Sequence, residues 1–471
     1  MMWEMVIGLE THVELSTKTK IFCSCTTQFG GEPNTHCCPV CTGQPGSLPL
    51  LNKEVVRYGV KAGLALGCHI NLVSKMDRKH YVYPDMPKAY QISQFDIPLC
   101  EHGKVELENG TTIRVNRIHI EEDAGKLIHE GSTYLVDYNR CGVPLIEIVT
   151  APDFRSVEDV LLYLEKLQGI MRTIGVSDCR MQEGSLRCDV NMSVRPKGSD
   201  KFGTRTEIKN LNSFTAIENA INYEFERQVD ILESGGQVEQ ETLHFNSDTG
   251  ETVSMRDKEN ANDYRYFREP DVVTVRVSKE EYAELLASLP ELPDQRMRRY
   301  VENLGLTETD AKLLVKYRRV AEFFEAAADI DAKTAAAFIL TNIFKSVPTE
   351  VEREEWQIKV SPENFRELVK LTSSGKINRN IAKRVLDRML ETGSAPAEII
   401  DKEKLGGVDE AEFEAICRKA IEENPAAVAD YKGGKEKAFQ ALIGYVMRLT
   451  RGAANPAQTE AKLKELLNEE A

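Results

Sequence analysis

A chain of 471 residues is longer than one hydrophobic core usually sustains, so roughly two to four domains are expected. Its 75 Asp plus Glu outnumber 60 Lys plus Arg, for a net charge of −15, which argues against unspecific nucleic-acid binding and confines any polyanion to a local basic patch. Charge within the first residues and the lack of an apolar run of spanning length argue against a leader or membrane anchor, so a soluble cytoplasmic protein is expected.

The first element, GLETHVEL, alternates strictly, which places Glu10, His12 and Glu14 on one face of a strand and Leu9, Thr11, Val13 and Leu15 on the other. Directly after it, FCSCTTQFGGEPNTHCCPVC sets Cys23 and Cys25 against Cys38 and Cys41 across a Gly/Pro/Asn-rich loop, with Cys37 a competitor for the third position. This is the spacing of a structural tetrahedral zinc clip, in which metal binding of about 10–16 kcal/mol would stabilise a loop too polar to fold alone. The bland alternative is a set of metal-free thiols; concentration of cysteines in one short run of a chain without disulfide-scaffold density favours the clip.

Helical patterns near 54–66, 156–175 and 214–234 interrupt strand-like TIRVNRIHI, STYLVDY, SLRCDVNMSVR and DVVTVRV, so the first 290 or so residues read as α+β with antiparallel strands. In the run from Ser185 to Arg195, Arg187, Asp189 and Asn191 share a face, as do Arg205, Glu207 and Lys209 a little later. A solvated sheet face would explain that pattern, yet Asp and Asn are poor strand formers without a task. Glu147 lies inside the apolar run VPLIEIVT, where a carboxylate must be neutralised by a metal, a base, a proton or an ion pair with a residue such as Arg140. Pooled, Glu10, His12, Glu121, Glu122, Glu147 and Asp189 form a hard donor set suited to Mg²⁺ or Mn²⁺ and phosphoryl chemistry, with Lys79 as a phosphate-facing cation or an ordinary loop lysine. No P-loop, dinucleotide fingerprint or kinase catalytic loop occurs, so a nucleotide would have to be held by metal and side chains on a sheet.

PELPDQ closes this pattern near 290–295, and from there the sequence is helical, with Ser361-Pro362 a helix start and Thr392–Gly407 a softer connection. Domains over 1–292, 293–400 and 401–471 follow. In the last, Lys432, Lys435, Lys437, Arg448 and Arg451 make the best basic patch for RNA phosphates, or a solvated helix face.

GLETHVEL, KHYVYPDMPKAYQISQFD, HIEEDAGK, DYNRCGVPLIEIVTAPD, MQEGSLRCDVNMSVRP, EIKNLNSF and DYRYFREPD, with GGKEKAFQALIGYVM near the C-terminus, together resemble the B-subunit family of aspartyl/glutamyl-tRNA amidotransferases over the whole chain. The archaeal E-subunit relative carries a synthetase-like insertion for which 290–400 leaves no room. The resemblance implies an antiparallel cradle similar to the glutamine synthetase catalytic fold, then an all-α domain and a small helical tail that binds tRNA. It implies ATP-dependent phosphorylation of the side-chain carboxylate of Glu-tRNA(Gln) or Asp-tRNA(Asn), and amidation with ammonia. It implies resident Mg²⁺ on His12, Glu122 and Glu147, a second ion near Glu10, Glu121 and Asp189, catalytic roles for Lys79, Glu10 and Asp189, and structural Zn²⁺ on the clip. No amidase Ser-Ser-Lys or Cys-His arrangement is visible here, so this chain is not expected to make its own ammonia; the resemblance implies a heterotrimer in which a glutaminase A subunit supplies it and a small C subunit joins both. A free-standing carboxylate–amine ligase and a non-catalytic zinc-bearing RNA scaffold are the rival readings; the helical C-terminal half disfavours the first, and Asp189 and Glu147 the second.

Overall fold

The computed structural model describes residues 2–131, 133–257, 264–403, 405, 410–450, 454 and 456–469. The chain divides into two compact units, Met1–Leu292 and Pro293–Ala471. The strands of the first are β1 (Trp3–Glu14), β2 (His69–Ile70), β3 (Val73–Ser74), β4 (Asp77–His80), β5 (Tyr90–Ser93), β6 (Cys100–Glu106), β7 (Thr112–Glu122), β8 (Lys126–Glu130), β9 (Thr133–Asp137), β10 (Pro144–Thr150), β11 (Leu186–Pro196), β12 (Thr206–Leu211), β13 (Glu241–Asn246), β14 (Glu251–Asp257), β15 (Phe267–Arg268) and β16 (Val275–Arg276). Helices α1 (Lys53–Ala65), α2 (Val157–Thr173) and α3 (Phe214–Glu233) follow β1, β10 and β12. Each starts where a side chain can satisfy an orphan amide: Asn52, Ser156 and Ser213 accept from the N–H groups of Glu54, Asp159 and Ala216.

Among the described residues one sheet carries nine strands in the order β14-β13-β12-β11-β1-β10-β7-β6-β2. The β12–β13 pair is parallel, whereas the strands about the centre, β11-β1-β10-β7, are antiparallel. Strict alternation gives these central strands two unlike faces. Ile7, Leu9, Val13, Ile118, Ile120, Ile146 and Ile148 are buried in a core shared with Leu164, Leu167, Ile217 and Ile221 of α2 and α3. The opposite face is free to carry polar groups. Helix α1 lies close enough to β6 that glycine is required at its contact: a Cβ on Gly63 would stand 2.4 Å from Cys100 Sγ.

One expectation is corrected. The alternation of DVVTVRV predicts a full strand, but only Val275–Arg276 pairs, with Val73–Ser74, and Pro270 precedes the segment and cannot donate to a ladder. Within the softer connection over 392–407, Pro396 opens a short helix, Pro396–Lys402.

The unit beyond Leu292 is helical in its described residues. Ser361 caps the helix Pro362–Ser373 by accepting from Asn364 N–H, as its Ser-Pro start predicts. The long helix Arg318–Phe338 is interrupted at Asp331 (φ −160°, ψ 94°), whose carboxylate accepts from Thr334 N–H and hydroxyl and so starts the next turn afresh. Apolar side chains gather in two separate cores, one spanning Tyr300 to Leu405 and one Cys417 to Leu467. Among the described residues no helix is long and apolar enough to cross a membrane.

Candidate active site

Register explains how distant residues meet. On the polar face, His12 of β1 stands opposite Glu147 of β10, and Glu147 opposite His119 of β7, while Glu10 stands opposite Asp189 of β11. Asn191 of β11 in turn faces Glu207 of β12. Cross-strand partners on one face are near neighbours, so a row of polar residues becomes a cluster.

Two clusters result. In the first, His12 Nε2 lies 3.4 Å from both Glu121 and Glu147, and His119 Nε2 lies 3.3 Å from Glu147 and 3.7 Å from Glu121. Ser93 also donates to Glu121 at 3.3 Å. In the second, ligand atoms of Glu10, Asp189 and Glu207 lie within 4.8 Å of one another, as do those of His12, Glu121 and Glu147 in the first. Lys209 bridges Asp189 (2.7 Å) and Glu207 (3.1 Å), and Asn191 donates to Glu10 at 2.9 Å.

Electrostatics separate the two. Burial opposes charge on His12 and His119, but Glu147 and Glu121 outweigh it; His12 rises and His119 is pushed up to about 9. Burial likewise opposes the Glu147 and Glu121 carboxylates, yet the imidazoles hold Glu147 well below its ordinary value and Glu121 below it too. The second cluster is short of positive charge. Burial, then the carboxylates of Glu147, Glu207 and Asp189, push Glu10 upward against the single ammonium of Lys209. Surplus negative charge on closely spaced oxygens is the donor chemistry that fits a hard divalent cation, and one imidazole with two carboxylates fits such a cation also. At the first cluster a cation would compete with the imidazolium proton.

The structure redistributes several expected residues. Glu121, not Glu122, joins His12 and Glu147: successive strand residues face opposite ways, and Glu122 turns to Lys88 (2.6 Å) and the Ile92 N–H (2.9 Å). Arg140, a candidate partner of Glu147 by sequence, instead donates to the carbonyls of Ala124 and Gly125 and lies 3.5 Å from Asp123. Lys79, on β4, has its ammonium 4.9 Å from the Tyr264 ring centroid, and its basicity is raised, against burial, by Tyr266, Glu121 and Glu147. His119 and Glu207 do not stand out as site residues from sequence. Their only signal there is the alternation of His119 with Glu121 and of Glu207 with Lys209.

The cysteine run forms a third convergent set, hydrogen-bonded to the segment 136–141. The Sγ atoms of Cys23, Cys25, Cys38 and Cys41 lie within 4.8 Å of one another and the thiols are unbridged, whereas Cys37 turns away to the Asn34 carbonyl (3.2 Å). Its bond with Cys23, the Cys38 N–H and the ammonium of Lys20 bring the Cys41 thiol down to about 5, although burial opposes this. Lys20 is fully buried and lies 3.7 Å from Cys41 Sγ, so a cation already compensates thiolate charge there. Four convergent thiols, one held towards thiolate, fit zinc.

A trough of about 860 Å³ runs from the clip's outer loop to Asp189 and Lys209, and a cavity of about 310 Å³ reaches Glu10 from another side, past Asn191, Phe202 and Arg205. In the second unit, Lys432, Lys435, Lys437 and Arg448 are all exposed; Lys435 pairs with Asp430 at 3.0 Å, and Arg451 lies outside the described residues.

A mixed sheet domain bearing two carboxylate-rich clusters and a thiol clip, followed by a helical region, is the class of protein this arrangement defines. Residues 5–283 match the family model described as the GatB/GatE catalytic domain, and residues 322–467 match the GatB domain. The chain belongs to the GatB/GatE family. It is 52% identical over 480 residues to the aspartyl/glutamyl-tRNA(Asn/Gln) amidotransferase B subunit of Caldicellulosiruptor saccharolyticus, covering 99% of each chain. It is 51% identical over 474 residues to the protein of the same name from Thermoanaerobacter pseudethanolicus, covering 99% of this chain and 100% of the other. The like-named protein of Clostridium botulinum (strain Loch Maree) is 50% identical over 461 residues, covering 96% of this chain and 97% of its own.

Proposed function

We propose that this chain is the transamidating subunit of a tRNA-dependent amidotransferase, which activates the side-chain carboxylate of glutamate on tRNA(Gln), or aspartate on tRNA(Asn), and converts it to the amide. The observation that carries the reading is the pair of clusters, His12/Glu121/Glu147 and Glu10/Asp189/Glu207, side by side on one sheet face of a family member. An ionised carboxylate is a poor electrophile. Its oxygen therefore attacks the γ-phosphorus of ATP, the bond to the β,γ-bridging oxygen breaks, and ADP leaves. Ammonia nitrogen then attacks the acyl carbon, the carbon–oxygen bond to phosphate breaks, and a proton is lost as the amide forms.

The residues present fit divalent cations, Mg²⁺ by the family resemblance: His12, Glu121 and Glu147 would hold one and Glu10, Asp189 and Glu207 another, and such cations would supply positive charge that offsets the charge of a transferring phosphoryl group. The chain's own groups do the rest. Lys79, held as ammonium beside Glu121 and Glu147, offers a fixed positive charge to a transferring phosphoryl group. Lys209 fixes Asp189 and Glu207 in one orientation. Burial of the first cluster, where Glu121 and Glu147 are 3% and 7% exposed, limits water that would hydrolyse an acyl phosphate.

Zinc on the four cysteines is structural in this reading, because a closed thiolate set leaves no open position. The sheet unit corresponds to a cradle of glutamine synthetase type, and the helical unit to two modules, 293–400 and a tRNA-binding tail from 401, in keeping with its two separate cores. Ammonia comes from a glutaminase A subunit, with a small C subunit completing a cytoplasmic heterotrimer. The test is direct: the complex receives ATP, Mg²⁺, ammonium and misacylated tRNA, and the amino acid released from the tRNA is identified. Unchanged glutamate or aspartate after ATP has been consumed would refute the reading.

A further inference from the structure

The trough lined by Asp189 and Lys209 is lined as well by Thr27 to Gly31 and Pro33, from the loop between the two cysteine pairs of the clip. Between its two cysteine pairs the chain loops out, and at its tip stands Phe29, 71% exposed although it lines the trough. The loop beneath it is held in one shape. Gly30 takes φ +82°, and Gly31 packs so tightly on His36 that a Cβ there would lie 2.3 Å from the imidazole. Asn34, in a turn at φ +61°, then ties the loop to the β8–β9 hairpin: its N–H donates to the Asp137 carboxylate (3.0 Å), its side-chain amide to the Val136 carbonyl (3.0 Å), and its side-chain oxygen accepts from Tyr138 N–H (2.8 Å). From the other side Asn139 donates to the Glu32 carbonyl (2.7 Å) and accepts from His36 N–H (2.8 Å). The clip lobe and the hairpin are one clamp, and exposed Lys126 of β8 lies on the same trough.

An aminoacyl ester joins its amino acid to the ribose of the last nucleotide. Beyond that ribose, the base of the same nucleotide is the nearest aromatic part of the polynucleotide to the reacting carboxylate, and a carboxylate held near Asp189 leaves the base within the trough that Phe29 also lines. We infer that Phe29 is the stacking platform for the terminal base of the aminoacylated 3′ end, with Asn34 and Asn139 as the positioning residues that fix it. The inference rests on the proposed function and names the part of the substrate that this wall receives. An aromatic face stacks on a base without reading its sequence, and a lobe already ordered by four cysteines spends little conformational entropy on binding.

The test uses the full complex with ammonium as nitrogen donor, so that the glutaminase step is bypassed, and varies the concentration of aminoacylated tRNA. Phe29→Ala raises KM for the tRNA on the order of tenfold and changes kcat by less than about twofold, while Phe29→Tyr restores the wild-type KM. Zinc content and the make-up of the complex stay as in the wild type. An unchanged KM, a Phe29→Tyr variant as impaired as Phe29→Ala, or loss of a partner protein in place of a KM effect would overturn the assignment of Phe29 alone. A wild-type complex that forms no amidated product would instead overturn the proposed function.

Discussion

The cysteine clip and the carboxylate clusters are both convergent donor sets, but they are built on opposite principles. The clip draws its ligands from one run of 19 residues, Cys23 to Cys41, and closes on itself. The clusters draw theirs from strands as far apart as β1 and β12, so each member is placed by the register of a sheet. A local site can fail without taking the sheet with it, whereas a distributed site shares its backbone with the core. Function and stability are therefore separable at the clip's tip and entangled at the clusters.

The largest effect that would break this comparison is at the centre of the sheet. Glu147→Gln or His12→Ala should weaken the donor set for the divalent cation that offsets charge on the transferring phosphoryl group and cost several kcal/mol of transition-state stabilisation, a fall in amidation on the order of a thousandfold. Retention of tRNA in a filter or gel assay should be nearly unaffected; equal loss of both would mean that the residues hold the fold and not the chemistry.

Next comes the contrast between neighbours. Glu122→Gln leaves the 2.6 Å partner Lys88 as an uncompensated charge in a site where Glu122 is 1% exposed, and should lower unfolding free energy by about 3–5 kcal/mol in a denaturant titration. Glu121→Gln should instead lower divalent-metal affinity in calorimetry. If the two variants behaved alike, the face assignment drawn from the register would be wrong.

Cys38→Ser with Cys41→Ser should abolish the binding of about one zinc per chain in metal analysis, with hydrogen exchange rising across 126–139 because the hairpin is bonded to the clip loop. Exchange confined to 23–41 would disconnect the two. In the helical unit, replacing Lys432, Lys435 and Lys437 by Ala should weaken tRNA binding and lower its salt slope by about 2–3. The smallest effect is local: Ser213→Ala removes the cap of α3 and should cost about 1 kcal/mol in thermal melting, with amidation unchanged.

Much of this is legible in the sequence because it is local. The alternation in GLETHVEL fixes which residues share a face, Ser361-Pro362 marks a helix start, and paired cysteines across a turn-rich loop mark a clip; each depends only on backbone periodicity or on a short closed loop. Spacing alone leaves Cys37 and Cys38 in competition, and Sγ positions are needed to send Cys37 to the Asn34 carbonyl. Legibility fails where a choice depends on a partner strand. Glu121 and Glu122 are equal as letters, and it takes the pairing of β7 with β10 to put one among imidazoles and the other against Lys88.

Sequence by itself thus determined the α+β unit, the helical half, the family and the pool of residues from which the chemistry is drawn, because periodicity, capping and cysteine spacing act over a few residues. Tertiary structure alone decided that His119 and Glu207 complete the clusters, that Glu147 meets two imidazoles and not Arg140, and that the clip's outer loop and Asp189 line one trough. The physical reason is that a sheet's register brings side chains together across nearly two hundred residues of chain, as Glu10 and Asp189 show.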